Sequence, residues 1–146
     1  MTNTRRSRGF SRERELVRTL WKHGFAVMRA PASGAKSRRV KYPDIVAMKN
    51  GHIFVIEVKT KDKPGHIYIE KHQIDKVREF SERAGGKGFI AVKIMDGRGW
   101  RFIPLEKLVE TPGGNYKVPL EELDNALDLK GFIKLADSSR KITEWI

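Results

Sequence analysis

A chain of 146 residues, 39% of them hydrophobic, is long enough for one domain with a packed core. It has no cysteine, which excludes disulfides and thiolate metal sites, and no apolar stretch that could cross a membrane, so we expect a cytoplasmic protein. Its net charge of +12 favours a polyanionic partner, although charge alone does not distinguish a protein that binds nucleic acid from one that cuts it.

The hydrophobic pattern predicts regular elements in the order α-β-β-β-α-β-β up to about residue 104. Residues 1–9 are polar and rich in arginine, and we expect them to form a flexible basic arm. Ser11 is a plausible N-cap for a first helix that runs to about Lys22. The other predicted elements are strands over 25–29, 44–49, 52–60, 88–95 and 100–103 and a second helix over 71–84.

Two of these apolar runs are joined by Asn50-Gly51, which is the strongest local signal for a hairpin because a type I′ turn needs positive φ at both central residues. In such a hairpin the numbers of facing residues sum to 101, so that Asp44 faces Glu57. Lys59 lies on the same face because side chains alternate along a strand. The opposite face is apolar and predicted to be buried: Ile45, Ala47, Phe54, Ile56 and Val58.

Two carboxylates and an amine therefore converge at the open end of the predicted hairpin. Carboxylates that face each other on a sheet repel, and such a pair suits Mg²⁺, which binds carboxylates, water and phosphate oxygens. The alternative is a charge cluster with Lys59 as the counter-ion, or a bulge that breaks the register. Glu13 lies on the inward face of the first helix, where it either joins this site or only interacts with the helix dipole.

The positive charge is concentrated in the first part of the chain, which has 24 basic and 10 acidic residues up to Pro104, against 6 and 8 beyond it. A loop over 31–42 carries much of this charge, and we expect it to contact nucleic-acid phosphates. The basic residues expected to bind nucleic acid there and just after the hairpin are Lys36, Arg38, Arg39, Lys41 and Lys61.

The C-terminal part is less distinct. Helical pieces are predicted around 105–109 and 120–129, and residues 67–69 can add a strand fragment. No repeat or linker divides the chain, so we expect a single domain over 1–146 with a variable tail over 131–146. The expected fold is α/β, with a central mixed five-stranded sheet flanked by helices.

Pro43-Asp44 followed by Glu57-Val58-Lys59 resembles the signature of the PD-(D/E)xK nuclease superfamily. Further short motifs accompany it: Glu13-Arg14-Glu15, Pro31-Ala32-Ser33-Gly34, Ile67-Tyr68-Ile69 and Trp100-Arg101-Phe102-Ile103. With these, residues 6–118 resemble the archaeal Holliday-junction resolvases. This resemblance implies a restriction-endonuclease-like core and a structure-selective, metal-dependent endonuclease that resolves four-way DNA junctions by paired cuts.

The resemblance also implies roles for individual residues. Asp44, Glu57 and the carbonyl of Val58 would hold Mg²⁺, for which Mn²⁺ can substitute, and no small-molecule cofactor is expected. Lys59 would position the attacking water or stabilise the charge that develops on the phosphate. Glu13 would hold a second metal or orient the water.

Three further residues match the resolvase pattern in the same way. Arg14 and Arg29 would grip DNA phosphates, and Ser33, in the glycine-flanked loop, would hydrogen-bond the phosphate. A four-way junction has approximate two-fold symmetry, so a C₂ homodimer is the natural assembly. Phe80 and Ala84 on the second helix are candidate interface residues, although a single sequence does not separate interface from core.

Two other functions are compatible with the sequence. The first is another DNA nuclease of the same superfamily, of restriction or repair type, and a panel of DNA substrates distinguishes it. The second is a non-catalytic module that binds nucleic acid, which Asp44→Asn distinguishes because only an enzyme has cleavage to lose.

Overall fold

Helices and short strands alternate along the computed structural model, which describes residues 4–31 and 42–138, with side chains from Ser11 onward. The helices are α1 (Thr4–Lys22), α2 (Lys71–Ala84), α3 (Leu120–Asn125) and α4 (Leu129–Lys134). The strands are β1 (Ala26–Arg29), β2 (Ile45–Lys49), β3 (His52–Lys61), β4 (Ile67–Ile69), β5 (Lys87–Ile94), β6 (Gly99–Pro104), β7 (Val109–Glu110) and β8 (Tyr116–Val118). A short 3₁₀ turn covers Leu105–Lys107.

The strands form a five-stranded sheet in the order β1-β2-β3-β5-β6 and a smaller sheet in the order β4-β8-β7. In the large sheet β3 and β5 are parallel, and the other neighbouring strands are antiparallel. The crossover from β3 to β5 runs through β4 and α2. The predicted mixed five-stranded sheet flanked by helices is therefore confirmed, whereas the smaller sheet was not predicted.

The β2–β3 hairpin has the predicted register. Asn50 and Gly51 both have positive φ, 54° and 82°, as a type I′ turn requires. Val46 pairs with Val55 and Met48 with Ile53, so the numbers of facing residues sum to 101. This register puts Asp44, one residue before β2, opposite Glu57.

The core has two parts, one on each face of the large sheet. Helices α1 and α4 cover one face, where Phe132 stacks on Phe102 with ring centroids 4.1 Å apart. Helices α2 and α3 and the smaller sheet cover the other face, where Ile74 of α2 packs with Ile90 and other buried aliphatic residues. Among residues 4–31 and 42–138, no helix is long and apolar enough to cross a membrane.

The first helix begins at Thr4 and not after Ser11, so residues 4–9, predicted as part of a flexible arm, have helical backbone. Arginine is a good helix former, and a stretch of polar residues shows no hydrophobic period that would reveal its helix. The single Gly9 costs only about 1 kcal/mol in a helix interior and does not stop it.

Two details of the helical packing were not predicted. Part of the segment predicted as a variable tail, residues 131–138, belongs to the packed domain, because α4 brings Phe132 and Ala136 into the core. Asp128 caps this helix by accepting a hydrogen bond of 2.8 Å from the backbone N–H of Gly131. On α2, Ser81 is buried, and Phe80, a candidate interface residue, is only partly covered.

Candidate active site

Asp44 is held in place from two sides. Its carboxylate Oδ2 accepts a hydrogen bond of 2.8 Å from the backbone N–H of Val58, in the part of β3 that extends beyond β2. Its backbone carbonyl accepts another, of 3.0 Å, from the N–H of Ala30 at the end of β1. The carboxylate thus accepts the hydrogen bond that a backbone carbonyl of β2 would accept if β2 extended this far. This bond fixes the orientation of the carboxylate beside β3.

Glu57 is buried in the middle of the sheet, with only 2% of its surface exposed. Burial, and secondly the neighbouring Asp44, raise the pKa of Glu57 to about 8. Among the described residues, no group forms a hydrogen bond with its Oε2 atom. Two carboxylates cannot donate to each other, so Glu57 and Asp44 can share a hydrogen bond only when one of them holds a proton.

Helix α2 contributes two residues that the sequence analysis did not identify. Lys76 lies with its Nζ 3.5 Å from Oε1 of Glu57, and Gln73 accepts a hydrogen bond of 2.9 Å from the Nζ of Lys59. Lys76 is thus the close counter-ion of Glu57, a role that the alternative interpretation gave to Lys59. The spacing of three residues puts Gln73 and Lys76 on one face of α2, but no local pattern indicates that this face covers β3.

Glu13 lies at the edge of this cluster on α1. Its Oε2 is 3.4 Å from Nε of Arg29, an ion pair that joins α1 to the end of β1. Burial and then the charge of Asp44 raise the pKa of Glu13, while Arg29 acts in the opposite direction. Glu13 therefore faces the acidic pair, whereas Glu15 is bound elsewhere by Arg12 and Lys93.

The remaining predicted residues lie further out or outside the described residues. Arg14 is exposed on α1, and Lys61 is half-buried at the end of β3. The predicted phosphate-binding residues of the basic loop fall outside the described residues: Ser33, Lys36, Arg38, Arg39 and Lys41.

The donor set suits a hard divalent cation. Glu57 presents a carboxylate oxygen that no other described residue hydrogen-bonds, next to the fixed carboxylate of Asp44. Mg²⁺ uses one or two carboxylates together with water and phosphate oxygens. In the part of the chain that the structure describes, no group of three His, Cys, Asp or Glu side chains could hold a metal ion. Glu13 is ion-paired with Arg29 in this structure.

The overall fold matches that of a known class of protein. It is similar to the solved structure of the Holliday junction resolvase Hjc from Archaeoglobus fulgidus, with a TM-score of 0.73 and 29% identity over 84% of this chain and 94% of the other. It thus has the α/β fold of a nuclease.

The family follows from the sequence. The model of the archaeal Holliday junction resolvase (Hjc) family matches residues 4–141, and the chain belongs to this family. The chain is 44% identical to the crossover junction endodeoxyribonuclease Hjc of Sulfurisphaera tokodaii, over 93% of its own length and 92% of the relative's. It is 39% identical to the enzyme of the same name from Methanocaldococcus jannaschii, over 76% and 75% of the two chains.

Proposed function

We propose that the protein is a metal-dependent endonuclease that resolves four-way DNA junctions by paired cuts as a homodimer. Its relatives carry the name crossover junction endodeoxyribonuclease, which supports a DNA junction as the substrate. One observation carries the chemistry: Glu57 is buried beside Asp44 with an oxygen that nothing in the described chain satisfies. A buried carboxylate next to another is costly without a cation, so this pair is better explained by a ligand than by folding.

Asp44 and Glu57, with the backbone carbonyl of Val58, are the groups proposed to hold Mg²⁺, and Mn²⁺ can substitute for it. When bound, the ion supplies a Lewis acid that lowers the pKa of a coordinated water and offsets charge on the phosphate. The hydrogen bond from the N–H of Val58 to Asp44 orients that carboxylate in advance.

The other residues act on the DNA and the water. Lys59 is proposed to donate hydrogen bonds to the scissile phosphate, where negative charge increases as the attacking oxygen approaches. Glu13, held by Arg29, faces the acidic pair and can orient the attacking water. Ser33, outside the described residues, is proposed to hydrogen-bond the phosphate.

The sequence-independent part of DNA binding is assigned to basic residues around this site. Arg14 is exposed on α1 and Lys61 lies at the end of β3, the strand that carries Glu57 and Lys59. Together with Arg29 and the basic residues of the loop predicted over 31–42, they are proposed to bind phosphates and to make junction binding sensitive to salt.

An apolar face of the large sheet supports the homodimer. Met28 of β1, which is 65% exposed, pairs with Val46 of β2, and Met48 pairs with Ile53 of β3. None of these four residues belongs to the two core clusters. Helix α2 packs on β3 and β5 on this side of the sheet, beside the apolar face of β1 and β2. We assign a second copy of the chain to this face, because a two-fold junction requires two sites.

A cleavage assay on a labelled four-way junction tests the proposal. The wild type is expected to cut the junction with Mg²⁺ and not with EDTA. Asp44→Asn is expected to abolish cleavage while junction binding persists in a salt-sensitive form. Asp124→Asn, at an exposed position of α3, is the matched control and should cut as the wild type does.

Three results would contradict the proposal in different ways. Unaltered cleavage by Asp44→Asn would remove Asp44 from the catalytic site. Linear duplex cut as readily as the junction would favour a restriction-type or repair-type nuclease. Junction binding by the wild type without cleavage under any divalent ion would leave a non-catalytic binding module.

A further inference from the structure

We propose that Gln73 is a positioning residue of the cleavage reaction, which acts by holding the ammonium group of Lys59. The inference rests on the proposed function, because it assigns a role within that same site. Nζ of Lys59 donates a hydrogen bond of 2.9 Å to Oε1 of Gln73. Both side chains are half-buried, and they join the end of β3 to the first turn of α2.

A lysine needs such an anchor more than most catalytic groups. Its four-carbon stem rotates freely, and the ammonium group would otherwise sample many positions around the phosphate. Holding a reacting group in one geometry before the substrate arrives lowers the barrier to the reaction, and small misplacements are costly. One N–H of Lys59 is used by Gln73, and two remain for the phosphate or the water.

The chemical nature of the anchor also matters. An amide oxygen accepts a hydrogen bond without neutralising the ammonium, so the full positive charge of Lys59 remains available to the phosphate. Other residues supply the positive charge next to the carboxylates: Lys76 lies 3.5 Å from Glu57, and Arg29 lies 3.4 Å from Glu13. Helix α2 thus supplies a cation for the carboxylate and a neutral acceptor for the lysine.

The element that carries Gln73 is itself fixed at its start. The backbone N–H of Lys71 donates a hydrogen bond of 3.0 Å to the side-chain Oδ1 of Asn115, in the loop before β8. Ile74, the residue after Gln73, is fully buried in the core. Because Lys71 and Ile74, on either side of Gln73, are both held in place, the amide of Gln73 has a defined position relative to β3, as a positioning residue requires.

The test compares single-turnover cleavage of a four-way junction at saturating enzyme. Gln73→Met keeps the length of the side chain and removes the acceptor, and Glu82→Met introduces the same residue at an exposed position of α2. We expect Gln73→Met to cut about 10- to 100-fold more slowly, the range given by losing one hydrogen bond to a charged group. Junction Kd and Tm should equal those of Glu82→Met, which should cut at the wild-type rate.

A second measurement separates positioning from a merely structural role. In a Lys59→Met background, Gln73→Met should change the residual rate by less than about twofold, because nothing remains to be positioned. The inference is overturned by an unchanged rate in Gln73→Met, by a rate that falls only in parallel with Tm and junction affinity, or by the same fold loss in both backgrounds. A wild type that fails to cleave would instead overturn the proposed function itself.

Discussion

Replacing Glu57 by glutamine is expected to stabilise the metal-free protein at neutral and alkaline pH while abolishing cleavage. Glu57 is buried, and burial together with Asp44 raises its pKa from 4.5 to about 8. Glutamine has nearly the same shape and cannot ionise. Its amide can donate a hydrogen bond to the carboxylate of Asp44, which the ionised Glu57 cannot do.

The direction of the pH dependence follows from where the proton is bound. Between pH 4.5 and about 8, the folded protein keeps a proton on Glu57 that the unfolded chain has released. The free energy of unfolding therefore falls as pH rises through this window, and the loss is complete above pH 8. Each pKa unit corresponds to about 1.4 kcal/mol, which gives an upper bound of about 5 kcal/mol for this shift. We expect about 2–4 kcal/mol, because Lys76 and the protein around the site relax as Glu57 ionises.

Denaturant unfolding followed by tryptophan fluorescence, in EDTA and at a series of pH values, measures this difference. The gain in the free energy of unfolding of Glu57→Gln over wild type should be smallest at acidic pH and should reach a plateau above pH 8. Glu82→Gln, an exposed carboxylate on α2, is the control and should follow the wild-type profile. Parallel profiles for Glu57→Gln and wild type would refute the reasoning, because they would mean that ionised Glu57 costs nothing in the folded state.

Phe132→Ala should destabilise the protein by about 3–5 kcal/mol in denaturant unfolding, because this fully buried ring stacks on Phe102; a smaller loss would mean that the site collapses around the cavity. Lys76→Met should lower the stability of the metal-free protein above pH 8 by about 1–3 kcal/mol, since it removes the cation 3.5 Å from Glu57. Calorimetry should show Mg²⁺ binding retained in this variant, and unchanged stability would contradict the ion pair. Met28→Asp should convert the proposed dimer to a monomer in light scattering without loss of helical circular dichroism; an intact dimer would place the interface elsewhere.

The parts of the fold that could be predicted from the sequence are those fixed by local geometry. Asn50 and Gly51 determine the turn, and the turn determines the register that places Asp44 opposite Glu57. Helix α2 has the predicted bounds because Gly85, with φ of 69°, ends it in the left-handed conformation. Such features depend on a few neighbouring residues, and their sequence signals are correspondingly strong.

The parts that were missed depend on contacts between distant segments. Gln73 and Lys76 belong to the site only because α2 packs along β3, and a helix pattern does not specify what the helix packs against. Phe132 is a similar case: its stacking on Phe102 brings together residues separated by 30 positions, through a short helix with little periodic signal. Local patterns gave the acidic pair, and tertiary packing adds the residues that surround it.

The burial of Glu57 connects the stability of the fold with the proposed chemistry. Helix α2 excludes water from this carboxylate, and the same exclusion strengthens its attraction to any bound cation, because charges interact more strongly where the effective dielectric constant is low. A more open site would make the metal-free protein more stable but would bind the ion less tightly. Mg²⁺ should therefore reduce the stability difference between Glu57→Gln and wild type, since the ion stabilises only the protein that retains the carboxylate.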